Sequence, residues 1–334
     1  MTKLIPLVRV SPIILFVDFL EELGTPTETL LKQCKIPIFA LENPNSFISC
    51  YQAFNFVHHT AHREGIDNLG ILVAEKTNLD SLGILGRLVC NSVTLYNAIL
   101  TAIYAGNLFN SCERFWLVEQ GDTAYFCQQY INTKDLVLDH TCHFCLRMML
   151  NLIQTVAGKH WYPQKISLQT KFSNFTDHPL SEVKINRDVA INSIEFPRSF
   201  LSLPLPSLSS NSYSPEVDYV HLHETAPPTN FSQCLELAIT PLLKEGYPNI
   251  NIASEIAKMS IRNLQRTLTK EGLSYSQLIT RIRYKTAVDL LQDLTLKIID
   301  IAYELGYEDP AHFTRAFKRW TGLSPNTFRH QSQI

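Results

Sequence analysis

Apolar residues in the first 200 positions recur with two different periods. Residues 12–23 (PIILFVDFLEEL) carry the helical spacing and Gly24 ends it. A second helix is expected near Thr25-Pro26, where a cap residue precedes Pro at the first helical position. Stretches 51–63 and 95–108 keep the helical period. At 114–131 the period falls to two: FWLVE and TAYFCQQYI flank Gln120-Gly121-Asp122, which predicts two strands around a tight turn. Residues 139–156 return to helix, and 165–170 and 190–196 read as strands. Residues 1–200 therefore read as mixed α+β, with no catalytic constellation among them.

The stretch 201–230, LSLPLPSLSSNSYSPEVDYVHLHETAPPTN, is crowded with Pro and Ser at positions that interrupt either period, and it is expected to be a linker. Beyond it, 231–334 reads as all-α. A helix over 231–245 is stopped by Gly246 and Pro248, and 252–257 is a short helix. Ser260 caps a helix over 261–271 that Gly272 ends. Ser274-Tyr-Ser-Gln277 has the capping-box form and opens a long helix to about Leu291. Helices over 296–305, 310–320 and 325–330 follow.

This last third repeats itself without gaps at an offset of 49 residues: IASEIAKMSIRNLQRTLTK (252–270) lies over IAYELGYEDPAHFTRAFKR (301–319). Ile252/Ile301, Ala253/Ala302, Glu255/Glu304 and Arg266/Arg315 are identical, while Leu264/Phe313 and Leu268/Phe317 keep apolar character. Each copy is a short helix with a small Ala, a turn at Ala257 or Gly306, a cap at Ser260 or Asp309, and a second helix with apolar residues at i, i+4. That is a helix-turn-helix written twice. The outward positions are Arg262, Asn263, Gln265 and Arg266 in the first copy and Ala311, His312, Thr314 and Arg315 in the second. Arg reads guanine bidentately, Asn and Gln read adenine, and Ala and Thr touch the thymine methyl. The connecting helix, 274–291, would be about 27 Å long at 1.5 Å per residue. It can thus hold two recognition helices roughly one DNA turn apart.

Composition sharpens this reading more than it creates it. The 334-residue chain is 45% hydrophobic and 18% charged, which excludes a disordered or collagen-like polymer and fits two domains. The net charge of −2 conceals a split: residues 231–334 hold 13 Lys+Arg against 10 Asp+Glu, and residues 1–230 hold 16 against 21. The basic surplus lies with the repeat. Eight scattered cysteines lack the dense spacing of an extracellular disulfide framework, and Arg9, Asp18, Glu21 and Glu22 break the apolar run that a secretory or membrane segment needs. A cytoplasmic protein without a membrane span is expected.

On the motifs MSIRNLQRTL (259–268), RYKTAVDLL (283–291) and IAYELGYEDPAHFTRAFKRWTGLSPNTFR (301–329), the C-terminal third resembles the AraC/XylS family of bacterial transcription regulators. The resemblance implies binding of double-stranded promoter DNA, with Arg262, Asn263, Gln265 and Arg266 in one groove and Pro310, Ala311, His312, Thr314 and Arg315 in the next. Pro310 and Ala311 stand where some members carry a polar pair, so fewer direct base contacts are expected there. Stretches 65–109 and 185–206 resemble the arabinose-binding-type regulatory domain of the ornithine-regulator-like branch. That implies a small-molecule effector, a homodimer and a contact with RNA polymerase, without making arabinose the ligand.

Other constellations carry less. Cys142-His-Phe-Cys145 stands alone in a helix without the second pair that a four-coordinate zinc site needs. His58, His59 and His62 lack the Glu of a HExxH motif. No metal and no cofactor are expected. Phe115, Trp116, Tyr125, Phe126 and Tyr130 are candidates for an effector pocket, with ordinary sheet core as the competing reading. No P-loop, GxSxG or dinucleotide motif appears. A non-enzymatic regulator is the reading; an enzyme with an appended DNA-binding module, or a helical protein-interaction module, are the alternatives.

Overall fold

The computed structural model describes residues 4–133, 136–171, 175, 178–206 and 214–331. They form two compact units. One holds the described residues of Pro6–Ile36 and Asn43–Pro227, the other those of Met1–Ile5, Pro37–Glu42 and Pro228–Ile334.

The first unit starts with β1 (Leu7–Arg9), α1 (Ser11–Glu22) and α2 (Thr27–Gln33). Pro26 lies before the first turn of α2 and the Thr25 hydroxyl does not cap it, bonding instead to Glu64 at 3.3 Å. Next come β2 (Phe47–Ser49), which pairs antiparallel with β1, and α3 (Cys50–Glu64). Ser49 and Gln52 close a capping box on α3 that the sequence reading did not single out. Helices α4 (Leu69–Lys76), α5 (Ile84–Cys90) and α6 (Leu95–Phe109) lead into the hairpin β3 (Glu113–Gln120) and β4 (Thr123–Tyr130), which turns at Gly121 with φ of 60°. α7 (Asp139–Ala157) is followed by β5 (Lys165–Ser167), β6 (Lys184–Asn186) and β7 (Asn192–Pro197). The larger sheet runs β3-β4-β7-β5-β6, antiparallel except for the β5/β6 pair. α7 is the most deeply buried long helix of this unit and packs on α3, α4 and β7.

The stretch 201–230, expected to be a linker, departs from that reading in part. Residues 207–213 lie outside the described residues, but Pro215–Glu224 forms α8, which packs on α5 and α6. Asp218 accepts two hydrogen bonds from the Arg87 guanidinium at 2.7 and 2.8 Å. The buried Arg9 donates to the Thr225 hydroxyl at 2.8 Å and to its carbonyl at 3.2 Å. Pro215, which broke the period in the sequence, starts a helix where Pro is well tolerated.

The second unit is helical. α9 (Phe231–Ile239) continues only as a 3-10 turn over Thr240–Glu245, because Pro241 supplies no N–H for a regular ladder. α10 (Ile250–Ile256) and α11 (Ile261–Lys270) form the first helix-turn-helix, α12 (Tyr275–Gln292) the connecting rod, and α13 (Ile298–Glu304) and α14 (Pro310–Thr321) the second. α15 (Pro325–Gln331) packs on α12 and α14. The chain is thus an α+β unit followed in sequence by an all-α unit with two helix-turn-helix elements. No described helix is long and apolar enough to cross a membrane.

Candidate functional sites

The two helix-turn-helix copies bury the same register. Ala253 and Ala302, Ile256 and Leu305, Leu264 and Phe313, and Leu268 and Phe317 are all buried, each pair 49 positions apart. Side-chain caps start both second helices: Ser260 accepts from the Asn263 amide at 3.4 Å, and Asp309 accepts from the Ala311 amide at 2.8 Å. The turns differ by one position, since the left-handed residue is Lys258 (φ 50°) in the first and Gly306 (φ 71°) in the second. A Cβ on Gly306 would run into the Leu243 carbonyl, so only glycine fits there.

The core under the second copy joins Ala287 and Leu291 of α12 to Ile301, Ala302, Leu305, Phe313 and Phe317. Arg283, also on α12, donates to the Leu305 and Gly306 carbonyls at 3.0 and 3.1 Å and stacks over Tyr307 at 4.3 Å. The connecting helix is therefore bonded to the turn that aims α14. On either side of Arg283 in the same stretch of α12, Arg281 and Lys285 meet Glu236 of α9 at 2.8 and 2.6 Å.

With the apolar register fixed inward, Arg262, Asn263, Gln265 and Arg266 are exposed on α11, and Ala311, His312 and Arg315 on α14. Pro310 and Thr314 are half-buried. The Thr314 hydroxyl donates back to the Pro310 carbonyl at 3.1 Å. Arg262, Arg266 and Arg315 make no hydrogen bond or ion pair among the described residues. Three free guanidinium groups on two capped helices suit an anionic, hydrogen-bonding partner. The structure adds Arg319, which lines one cleft with Arg283, His312 and Arg315. Its spacing of i+4 from Arg315 was the available signal.

The first unit contains a cavity of about 120 Å³ between β3, β4 and helices α1, α3, α5, α6 and α7. Phe16, Phe54, Phe144, Met148 and Leu152 are among its walls. Of the five aromatic candidates, Phe115, Phe126 and Tyr130 line it, and Trp116 and Tyr125 do not. Strand alternation separates them: Trp116 follows Phe115 and Tyr125 precedes Phe126, so each pair points to opposite faces of the sheet.

The polar groups of the cavity gather on Glu113, which the sequence reading missed. Its Oε1 accepts from Gln128 at 2.8 Å and from the Cys145 thiol at 3.2 Å, and Oε2 accepts from Asn110 at 3.4 Å. Burial pushes the Glu113 carboxyl above the ordinary carboxylate range against these four donors, Tyr130 being the fourth. Asn192 extends the network by donating to Gln128 at 2.5 Å.

Cys142 and Cys145, the isolated pair, face this network. Burial drives the Cys142 thiol up to about 12. His58 and His140 stack with centroids 6.4 Å apart, and burial lowers His140 to about 4. Among the described residues no three His, Cys, Asp or Glu side chains gather as a metal would require.

Comparison with known proteins places both halves. A family model described as the arabinose-binding domain of AraC transcription regulators, N-terminal, matches residues 24–205, and one described as a helix-turn-helix domain matches 253–331. The ornithine utilization regulator of Pseudomonas aeruginosa is 24% identical over 330 residues, covering 93% of each chain. An HTH-type transcriptional regulator of Mycobacterium tuberculosis is 25% identical over 335 residues, covering 92% of each. The solved structure of the regulator CdpR from P. aeruginosa overlaps 82% of this chain and 90% of its own at 20% identity, with a TM-score of 0.36.

Proposed function

Because the chain belongs to the AraC family of transcription regulators, we propose that it binds promoter DNA sequence-specifically by placing α11 and α14 in consecutive major grooves. The observation that carries this reading is the doubled burial register, which leaves Arg262, Asn263, Gln265 and Arg266 on one helix, and Ala311, His312 and Arg315 on the other, facing out. Arg266 and Arg315 occupy equivalent positions and suit guanine; Asn263 and Gln265 suit adenine; Ala311 and the Thr314 methyl suit thymine. Pro310 fixes the start of α14, where the backbone approaches phosphate. α12, with 18 residues, has the reach of about 27 Å that spaces two readers on one face of a duplex.

The first unit, which takes in α8, senses an effector and pairs the chains, and residues 231–334 read DNA. Control is a population shift, in which the effector favours the arrangement competent for DNA. Tyr96 and Leu100, exposed one turn apart on α6, are the apolar pair on which a homodimer contact is placed. The protein acts in the cytoplasm, where promoter DNA and RNA polymerase are. Ornithine, named for the Pseudomonas relative, is not favoured as effector, because no Lys or Arg lines the cavity to receive its carboxylate.

Genome-wide mapping of bound DNA followed by methylation footprinting tests the reading. Two protected major grooves about one turn apart on the same face are expected. Protection of a single groove, or none, would overturn it.

A further inference from the structure

We propose that the effector is a small uncharged molecule, about one aromatic ring in size and largely apolar, with one hydrogen-bonding group set against Tyr130 and Glu113 in the cavity of the first unit. This rests on the reading that this unit senses a ligand, and it narrows what that ligand can be.

Size comes first. A cavity of about 120 Å³ is close to the volume of about 150 Å³ in which a benzene-sized molecule rests in an apolar interior. Polarity comes second. The walls are Phe, Leu, Met, Val and Ile side chains, and the polar lining is confined to Asn110, Glu113, Tyr130 and Thr141, with the Cys145 thiol. A sugar would turn several hydroxyls toward apolar walls that cannot bond them, so the family's arabinose-binding name does not describe this cavity.

Charge comes third. No Lys or Arg lines the cavity, and Glu113 would repel a carboxylate. The same apolar walls disfavour an ammonium, and the Glu113 oxygens that would pair with it are already taken by Asn110, Gln128 and Cys145.

The Tyr130 hydroxyl gives its proton to Glu113, with the Thr141 carbonyl farther off at 3.5 Å, so what it still offers a ligand is its oxygen as an acceptor. The remaining donors around Glu113 are anchored in the protein network: Gln128 is tied to Asn192, and the side-chain oxygen of Asn110 accepts from the Cys112 amide at 3.0 Å. A ligand hydroxyl that donates to the Tyr130 oxygen completes the cluster and places its ring among Phe16, Phe54, Phe126 and Phe144.

Ligand-observed NMR titrations of the full chain test this with benzyl alcohol, toluene, benzoate, benzylamine and L-arabinose as probes. Benzyl alcohol is expected to bind saturably, with toluene about three- to tenfold weaker for want of the hydrogen bond. The two charged probes and arabinose are expected to bind at least about tenfold more weakly than benzyl alcohol. Tyr130→Phe should bring benzyl alcohol down to the toluene level and leave toluene unchanged. Ala102→Leu, which fills the cavity, should remove both; if that variant fails to fold, the Tyr130→Phe comparison still decides. Saturable binding of benzoate, benzylamine or arabinose matching benzyl alcohol, or no binding of benzyl alcohol, would overturn the proposal, as would benzyl alcohol affinity indifferent to Tyr130→Phe. DNA affinity measured with and without bound benzyl alcohol separates the premise: occupancy of the cavity with unchanged DNA affinity overturns the sensing reading while supporting the ligand class.

Discussion

At the scale of the residue, burial decides which ionisable groups are free to act. The three guanidinium groups proposed to meet DNA are exposed and unpaired among the described residues, whereas His140 is half-buried and all eight cysteines are buried. His140 gives a pH prediction. The unfolded chain takes up a proton near the ordinary imidazole value of 6.5, and the folded chain does so only near 4. Acid therefore favours unfolding, and stability should fall as pH drops through that window. Denaturant titrations at several pH values should show the slope, and His140→Asn should flatten it. The thiols give a second prediction. Ellman's reagent should label none of the eight cysteines in the native protein at neutral pH and all of them in guanidinium, because each is buried. In Cys142-His-Phe-Cys145, which the sequence reading set aside as a metal site, both thiols are buried, one accepting from Asn192 and the other donating to Glu113.

At the scale of the element, the second unit was legible nearly throughout and the first only in its long elements. Caps, glycine stops and a repeat are local signals, and Ser260, Ser274 with Gln277, Gly272 and Gly306 stand within a few residues of what they control. The cavity is different. Its walls come from α1, α3, α5, α6, α7 and the hairpin, and each wall residue taken alone is an ordinary core residue. Strand alternation would have separated Phe115 from Trp116, but nothing local marks Glu113 as the residue on which four donors converge.

The same contrast locates the most sensitive positions. Arg283→Met removes both bonds to the turn before α14 and the stacking on Tyr307, and should destabilise the second unit by about 1–3 kcal/mol in denaturant titrations. Lys at 283 should recover only part of this, since an ammonium lacks the fork that spans two carbonyls. Gly306→Ala should cost more than about 1 kcal/mol, from the left-handed backbone and the collision with the Leu243 carbonyl.

At the scale of the whole molecule, a net charge of −2 is the sum of an acidic sensing part and a mildly basic reading part. A surplus of three positive charges is small for a DNA-binding unit, so affinity rests on where particular side chains point. Salt dependence follows from this. Each phosphate contact removed should lower the slope of log affinity against log salt by about 0.9. Neutralising Lys270 or Lys318, exposed at the ends of α11 and α14, should do so without changing sequence preference if these residues meet phosphate. The central claim is that both helices read bases from one chain. The affinity of Arg266→Ala and Arg315→Ala for a mapped promoter fragment tests it most directly. Each variant is predicted to lose about 1–3 kcal/mol and to relax preference in its own half of the site; unchanged affinity and preference in both would contradict it.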